Sequence, residues 1–241
     1  MKICILSNSH GAAIKAAVDA MSNEALGAEV VIFAAPKHGM GRLVPDASGQ
    51  VLACDNEGVS NMLRMTSGGL DRIEIGAYDG FILHGLYLIP PRLDRRHSGA
   101  LAQAAVRDML ALSTAPGLAR ALVAATKAPV LISPEPLLAD QEGLDIPARP
   151  SNAPSDPLPY DTIMDMVEAE FGVPGVHWLR QPGHTMGERL STLRQYSTES
   201  TRLAEENIAH KDGDVRHMNA DYGRLVLEAA AARFSDLMQP A

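Results

Sequence analysis

Cysteine is scarce. Cys4 and Cys54 are the only two in 241 residues, which excludes a disulfide framework. Cys4 lies inside the apolar run Lys2-Ile3-Cys4-Ile5-Leu6, where a thiol behaves as a small, inert hydrophobe. Long apolar stretches are also missing. None reaches the roughly 20 residues that cross a bilayer, and the apolar run before Ser7 is too short for the core of a signal peptide, so the expected location is the cytoplasm. Positive charge is in deficit: 21 Lys and Arg stand against 29 Asp and Glu, a formal net charge of -8. That is the wrong sign for a protein that tracks phosphates, and nucleic acid is not an expected partner. Aromatic residues make up 4% of the chain, which leaves few platforms for stacking a sugar; Trp178, Tyr87 and Tyr222 are the ones available.

What is present is apolar content, 46% of the chain, enough for one sizeable core and better suited to a single domain over residues 1–241 than to two small ones. Apolar runs predict strands at 2–6, 29–33, 78–85, 129–133 and 176–179, with a short extra strand at 51–53. Between them, helices are predicted from His10 to about Met21, over Ser98 to Ala125 with a break at Ala115-Pro116-Gly117, and over Asp161 to Phe171. A final helix is predicted over 220–237, capped by Asn219. The stretch 134–160 is dense in Pro, Asp, Ser and Asn without periodicity, and reads as an irregular surface excursion, either a lid or a connecting loop. Alternating strands and helices predict an α/β fold with three layers, a central, mainly parallel sheet of about five strands flanked by helices. Ligands then bind at the carboxyl ends of the strands.

A serine becomes nucleophilic when a histidine takes its proton and a carboxylate fixes that histidine's tautomer. Ser9 is the best-placed serine, at the turn from the first strand into the first helix, where its own N–H can serve as an oxyanion donor. The competing reading is that Ser9 caps that helix. Asp214-Val215-Arg216-His217 supplies an acid and an imidazole three residues apart, ahead of the final helix. Such a pair arises by chance about as often as not, and a second occurs at Asp94-Arg95-Arg96-His97. Further candidates for oxyanion or substrate contacts are Asn8, His10, Gly41, His84, Gly85 and Asn219. Arg95 and Arg96 are candidates for an anionic group, against the alternative of a solvated cluster in which Asp94 is paired to a neighbour. No metal is expected, since His10, His84 and His217 carry no close-spaced ligand pattern.

The combination of Asn8-Ser9-His10 after the first strand, Asp214-x-x-His217 before the last helix and a parallel-sheet pattern between them resembles the SGNH hydrolase superfamily, the GDSL-type esterase fold. Asn8-Ser9-His10 with Ala12 and Lys15, Gln181-Pro182, and His217-Met218-Asn219-Ala220-Asp221-Tyr222-Gly223 look like its bacterial branch associated with capsule and polysaccharide synthesis. The resemblance implies Ser9 as nucleophile, His217 as base and Asp214 as orienting acid. Two positions depart from the family. Ser7 replaces the glycine of the first block, and the Gly-x-Asn-Asp block reads Gly85-Leu86-Tyr87-Leu88, so the family's asparagine oxyanion donor is absent. The backbone N–H groups of Gly39, Gly41 and Gly85 are the expected replacements. Two functions are implied: a serine ester hydrolase or O-acyltransferase acting on an acylated carbohydrate or other small ester, without a cofactor, or a catalytically weak protein that binds coenzyme A, acyl-CoA or an anionic ligand. Oligomeric state is not indicated.

Overall fold

A computed structural model of the chain describes residues 1–21, 27–141, 156–187, 190–203 and 208–239. The elements run β1 (Lys2–Ser7), α1 (Gly11–Ala20), β2 (Glu29–Ala34), β3 (Val44–Pro45), β4 (Val51–Ala53), α2 (Glu57–Ser67), β5 (Ile73–Glu74) and β6 (Gly80–His84). They continue with α3 (Gly99–Leu112), α4 (Ala115–Ala125), β7 (Val130–Ser133), α5 (Tyr160–Phe171), β8 (Val176–Trp178), β9 (Met186–Gly187), β10 (Ser191–Thr192) and α6 (Ala220–Met238).

The fold is α/β, as the alternation of strands and helices predicts. Five strands form a parallel sheet in the order β2-β1-β6-β7-β8. Residues alternate across the sheet because successive Cβ atoms point to opposite faces. Ile3, Ile5, Ile32, Ile82 and Leu131 pack against α1 and α6 through Ile14, Ala17, Val226 and Phe234. Cys4, Leu6, Phe33, Phe81 and Ile132 belong to the opposite layer, with Leu63 of α2, Val106 of α3, Leu122 of α4 and Val167 of α5. Burial on both faces explains why these strands read as unbroken apolar runs. Burial also pushes the Cys4 thiol well above its ordinary range, consistent with an inert residue. Among the described residues no helix is long and apolar enough to cross a membrane.

Three local expectations need correction. Helix α2 was not anticipated, because it is mostly polar; Val59, Leu63 and Thr66 form its buried stripe, and Asn56 caps it by accepting the Val59 N–H at 3.0 Å. Ala115-Pro116-Gly117 does not break the helical stretch but opens α4, where proline's missing N–H costs nothing; the break falls at Ser113-Thr114. Within the expected excursion at 134–160, residues 142–155 lie outside the described residues. The chain just before them is not a surface loop, since Glu135, Leu137 and Ala139 are buried.

β2 lies on one side of β1 and the later strands on the other, so the crossovers leave in opposite directions and open a crevice between the ends of β1 and β6. Ser9 follows β1 at that point. The helices α1 and α6 that carry the two ends of the chain are in backbone contact: a Cβ on Gly223 would sit 2.1 Å from the Ala13 carbonyl oxygen. Neither backbone can yield without moving its helix. Gly223→Ala is expected to destabilise the fold by about 3 kcal/mol, the upper range for overpacking, and to lower the melting temperature by roughly 6–12 °C, measurable by thermal unfolding followed by circular dichroism.

Candidate active site

The turn after β1 is built by short-range hydrogen bonds. The Ser7 hydroxyl donates to the His84 carbonyl at 2.9 Å and ties the end of β1 to β6. Gly11 N–H donates to the Asn8 carbonyl, Ala12 N–H to the Ser9 carbonyl, and His10 N–H to Asn8 Oδ1. Ser9 is therefore not the cap of α1. His10 holds that position, without a side-chain cap bond, which leaves the half-buried Ser9 hydroxyl free for another partner. No acceptor among the described residues meets the Ser9 N–H.

The partner of Ser9 comes from the other end of the chain. His217 Nε2 lies 3.1 Å from Ser9 Oγ, and His217 Nδ1 lies 3.0 Å from Asp214 Oδ2. The second carboxylate oxygen of Asp214 accepts the N–H groups of Arg216 at 2.8 Å and His217 at 2.9 Å, which folds the D-x-x-H segment back on itself. Arg194 anchors the same loop by donating to the Asp214 carbonyl at 3.0 Å. A carboxylate on Nδ1 selects the tautomer that leaves Nε2 as a proton acceptor. Burial lowers the His217 pKa, with His10 and His210 adding to the effect against the opposing pull of Asp214. Burial alone would raise Asp214, but hydrogen bonds from His217 and Arg216 outweigh it and keep its pKa below the ordinary value. Both shifts favour a neutral imidazole beside an ionised carboxylate.

Sequence reasoning missed two residues here. Glu135, after β7, is 5% exposed and joins four groups. Oε1 accepts Asn8 Nδ2 at 2.9 Å and the Tyr87 N–H at 3.1 Å; Oε2 pairs with His10 Nε2 at 3.2 Å and lies 4.0 Å from Arg216 Nη2. Its signal was hidden in Ser133-Pro134-Glu135-Pro136, which reads as loop. The second is His210, stacked on His217 with ring centroids 4.0 Å apart and Nδ1 3.3 Å from Asp214 Oδ2. Its D-x-x-H neighbours drew attention to the segment but not to residue 210.

Most of the supporting candidates are engaged elsewhere. Asn8 spends its amide on Glu135 and its carbonyl oxygen on His10 N–H. The N–H groups expected to replace the missing asparagine are bonded within the backbone: Gly39 to Pro36, Gly41 to His38 and Gly85 to Ser133. His84 is buried in the sheet with Nδ1 on Ser133 Oγ, and burial drives its pKa down to about 3. Asn219 caps α6 and donates to the carbonyls of Gln195 and Thr198. Arg96 grips buried Asp94 with two nitrogens, and Arg95 pairs with Asp156, so the solvated-cluster alternative describes them. His10, whose Nδ1 is buried without a partner among the described residues, stacks on His217 at 5.2 Å and stays in the site. Tyr222 belongs to the core and Trp178 packs edge-on against Phe171.

At the Gly85-Leu86-Tyr87 segment, three consecutive residues adopt left-handed backbone, with φ of 74°, 55° and 62°. Each non-glycine residue there costs about 1–2 kcal/mol. The turn is held by Thr114 N–H and Ser113 Oγ, both donating to the Leu86 carbonyl, and by Glu135 on the Tyr87 N–H. It presents the Tyr87 ring flat against His38, centroids 4.1 Å apart. That stack joins the loops that follow the two strands flanking β1.

No family model and no curated protein matches the chain. Among solved structures, it is similar to a carbohydrate esterase described as having divergent catalytic and non-catalytic binding functions in its active site, with 11% identity and a TM-score of 0.42. It is also similar to a carbohydrate esterase family 2 enzyme with a carbohydrate-binding domain from Corynascus thermopiles (Myceliophthora fergusii), at 11% and 0.40, and to an acetyl xylan esterase from the rumen bacterium Butyrivibrio proteoclasticus, at 10% and 0.43. In each case 98% of this chain is covered, but the chain spans only 64–65% of the length of the other.

The Glu135 cluster yields a pH prediction. Burial raises this carboxyl, but the hydrogen bond and charge of His10, the Asn8 amide and Arg216 outweigh it and bring the pKa from 4.5 to about 2. The folded state therefore holds the proton more weakly than the unfolded chain, so the stabilisation is complete above about pH 4.5 and is lost as the pH falls toward 2. By pH 3 the loss is on the order of 2 kcal/mol. Urea unfolding at pH 7 and pH 3 is expected to show this increment in the wild type and not in Glu135→Gln. Glu135→Ala, which strands buried His10, is expected to cost about 3–5 kcal/mol at pH 7.

Proposed function

We propose that this protein is a serine-dependent ester hydrolase of the SGNH type. The observation that carries the reading is the continuous chain from Asp214 Oδ2 through the His217 imidazole to Ser9 Oγ, with contacts of 3.0 and 3.1 Å between groups drawn from opposite ends of the sequence. The D-x-x-H and Asn-Ser-His blocks of the resemblance fall on these same residues.

In the proposed reaction Ser9 Oγ attacks the ester carbonyl carbon as its proton passes to His217 Nε2, and Asp214 stabilises the imidazolium. Collapse of the tetrahedral intermediate releases the alcohol, which takes the proton from His217, and leaves an acyl-serine. Water then attacks the acyl-serine carbonyl as its proton passes to His217 Nε2, and His217 returns that proton to Ser9 Oγ as the carboxylic acid departs. The Ser9 N–H is the one identified donor for the oxyanion. Loss of one such donor typically costs about 10²–10³ in rate, and slow turnover is the expected consequence of the missing asparagine.

The substrate class proposed is an acylated carbohydrate, as the resemblance implies, with the Tyr87–His38 stack as a wall of the cleft. A sugar hydroxyl in place of water would make the same centre an O-acyltransferase. The alternative, a catalytically weak protein that binds coenzyme A or an anionic ligand, is favoured by the missing asparagine donor, whereas the cations it would use, Arg95 and Arg96, both have carboxylate partners.

The test is hydrolysis of nitrophenyl acetate in the presence of a chelator, together with labelling by a fluorophosphonate. Ser9→Ala and His217→Ala are each expected to lose at least about 10³-fold in kcat/KM, and Ser9→Ala to lose labelling entirely. Asp214→Asn is expected to lose about 10³–10⁴-fold through the wrong tautomer. An unlabelled, inactive wild type would sink the reading.

A further inference from the structure

A serine, a histidine and an acid are enough for ester hydrolysis, and that chemistry leaves His210 without a task. Its ring nevertheless lies flat against the base: the His210 and His217 rings are parallel to within 7°, face to face, with centroids 4.0 Å apart. His10, the other ring beside His217, is more distant at 5.2 Å and tilted by 27°. An imidazole N–H points along the ring plane, so Asp214 Oδ2, 3.0 Å from His217 Nδ1, lies close to the plane of that ring. The same oxygen is 3.3 Å from His210 Nδ1. Between parallel rings, that approach is made across the His210 face and not along its N–H. Backbone structure sets the ring in place, through the His210 N–H on the Ser200 carbonyl at 2.8 Å and the bridge between Thr201 and Ala209.

We propose that His210 is a positioning residue: its flat ring is a floor beneath the Asp214–His217 pair that keeps the imidazole in the plane linking Asp214 Oδ2 to Ser9 Oγ. The geometry of the floor stands by itself; its effect on turnover rests on the serine-hydrolase reading. Both hydrogen bonds of the relay run along the His217 ring, so a tilt about the Cβ–Cγ bond weakens the two together. A parallel ring in contact blocks that tilt on the side it covers. Misplacing a reacting group by about 1 Å costs roughly 10²-fold in rate, so the floor bears on kcat more than on substrate binding.

The floor also sets the electrostatics of the base. It covers one side of a half-buried pair, and burial is the main cause of the lowered His217 pKa. Burial lowers His210 as well, against the pull of Asp214 and with Arg202 adding to the effect, so the stacked ring is neutral when His217 accepts the proton. A charged one would oppose the imidazolium. The other titratable and charged groups near His217 are Asp214 and Arg216 in its own segment, His10 after β1 with Glu135 paired to it, and Arg194 on the Asp214 carbonyl. Removing the His210 ring opens its side to water and relieves the burial, so the His217 pKa rises toward its ordinary value. Activity needs the neutral base, and the deficit is then larger at about pH 5.5 than at about pH 8.

The test compares the intact wild type with His210→Ala and His210→Phe. Nitrophenyl acetate hydrolysis and the ring ¹⁵N signals of His217, assigned through His217→Ala, are both followed from about pH 5 to 9. His210→Ala is expected to lose at least about 10-fold in kcat with KM changed by less than about threefold, and its acid limb and His217 titration both move to higher pH. His210→Phe, which restores a flat ring without a titrating nitrogen, is expected to recover kcat to within about threefold of the wild type, with an acid limb no higher than the wild type's. Should His210→Ala not fold, His210→Leu takes its place, filling the space without a planar face, and the same loss of kcat is expected. Unchanged kcat and titration in His210→Ala overturn the proposal. A Phe variant as impaired as the Ala or Leu variant also overturns it, since the role would then belong to the His210 nitrogens. A wild type that neither hydrolyses ester nor reacts with fluorophosphonate removes the hydrolase reading, and the His217 titration then decides the floor alone: a rise in His210→Ala that His210→Phe reverses supports it, and no change overturns it.

Discussion

The buried carboxylate of Glu135 is the interaction on which the site depends. Three neighbouring strands, β1, β6 and β7, end at one edge of the sheet, and each would leave its following loop to wander. Glu135 comes from the third, accepts Asn8 and pairs with His10 from the first, and accepts the Tyr87 N–H from the second. A single charge in a site of low dielectric thereby fixes loops that share little sequence proximity. The energetic logic is that of any buried ion: once the carboxylate is out of water, every donor around it is worth more, and removing one exposes the charge to an environment that cannot solvate it. Ser9 sits between two of those donors in sequence, so its backbone is held on both sides.

The same constraint makes sense of the left-handed turn at Gly85, Leu86 and Tyr87. A Cβ at Gly85 would stand 2.7 Å from Asn8 Oδ1, so the strand end must be bare where the Asn8–His10 loop crosses it. The strain of the next two residues is opposed by hydrogen bonds from α4's approach, at Ser113 and Thr114, and from Glu135. The segment is spent on placing the Tyr87 ring against His38.

The parallel sheet was legible because strands buried on both faces have no polar alternation to obscure them: Ile3-Cys4-Ile5-Leu6 and Val130-Leu131-Ile132 admit no other economical reading. The cap at Asn219 and the D-x-x-H segment were legible because their partners are local, within three residues. Helix α2 was not, since its buried stripe is three residues wide in a polar sequence and gains its stability from packing against β2. The oxyanion candidates failed for a related reason. A glycine after a strand signals a turn, but whether its N–H points to a ligand or to Ser133 depends on pairings that a sequence does not display. Glu135 lies 127 residues from Asn8, and nothing local marks it.

The relay joins residue 9 to residue 217, and the contact between α1 and α6 at Gly223 sets the span between them. Without α6 in place, the Ser9 hydroxyl has no imidazole beside it and one face of the sheet has nothing to cover it. The Ser9–His217 contact exists only where α1 and α6 are docked, and its presence is a report that this whole layer has closed.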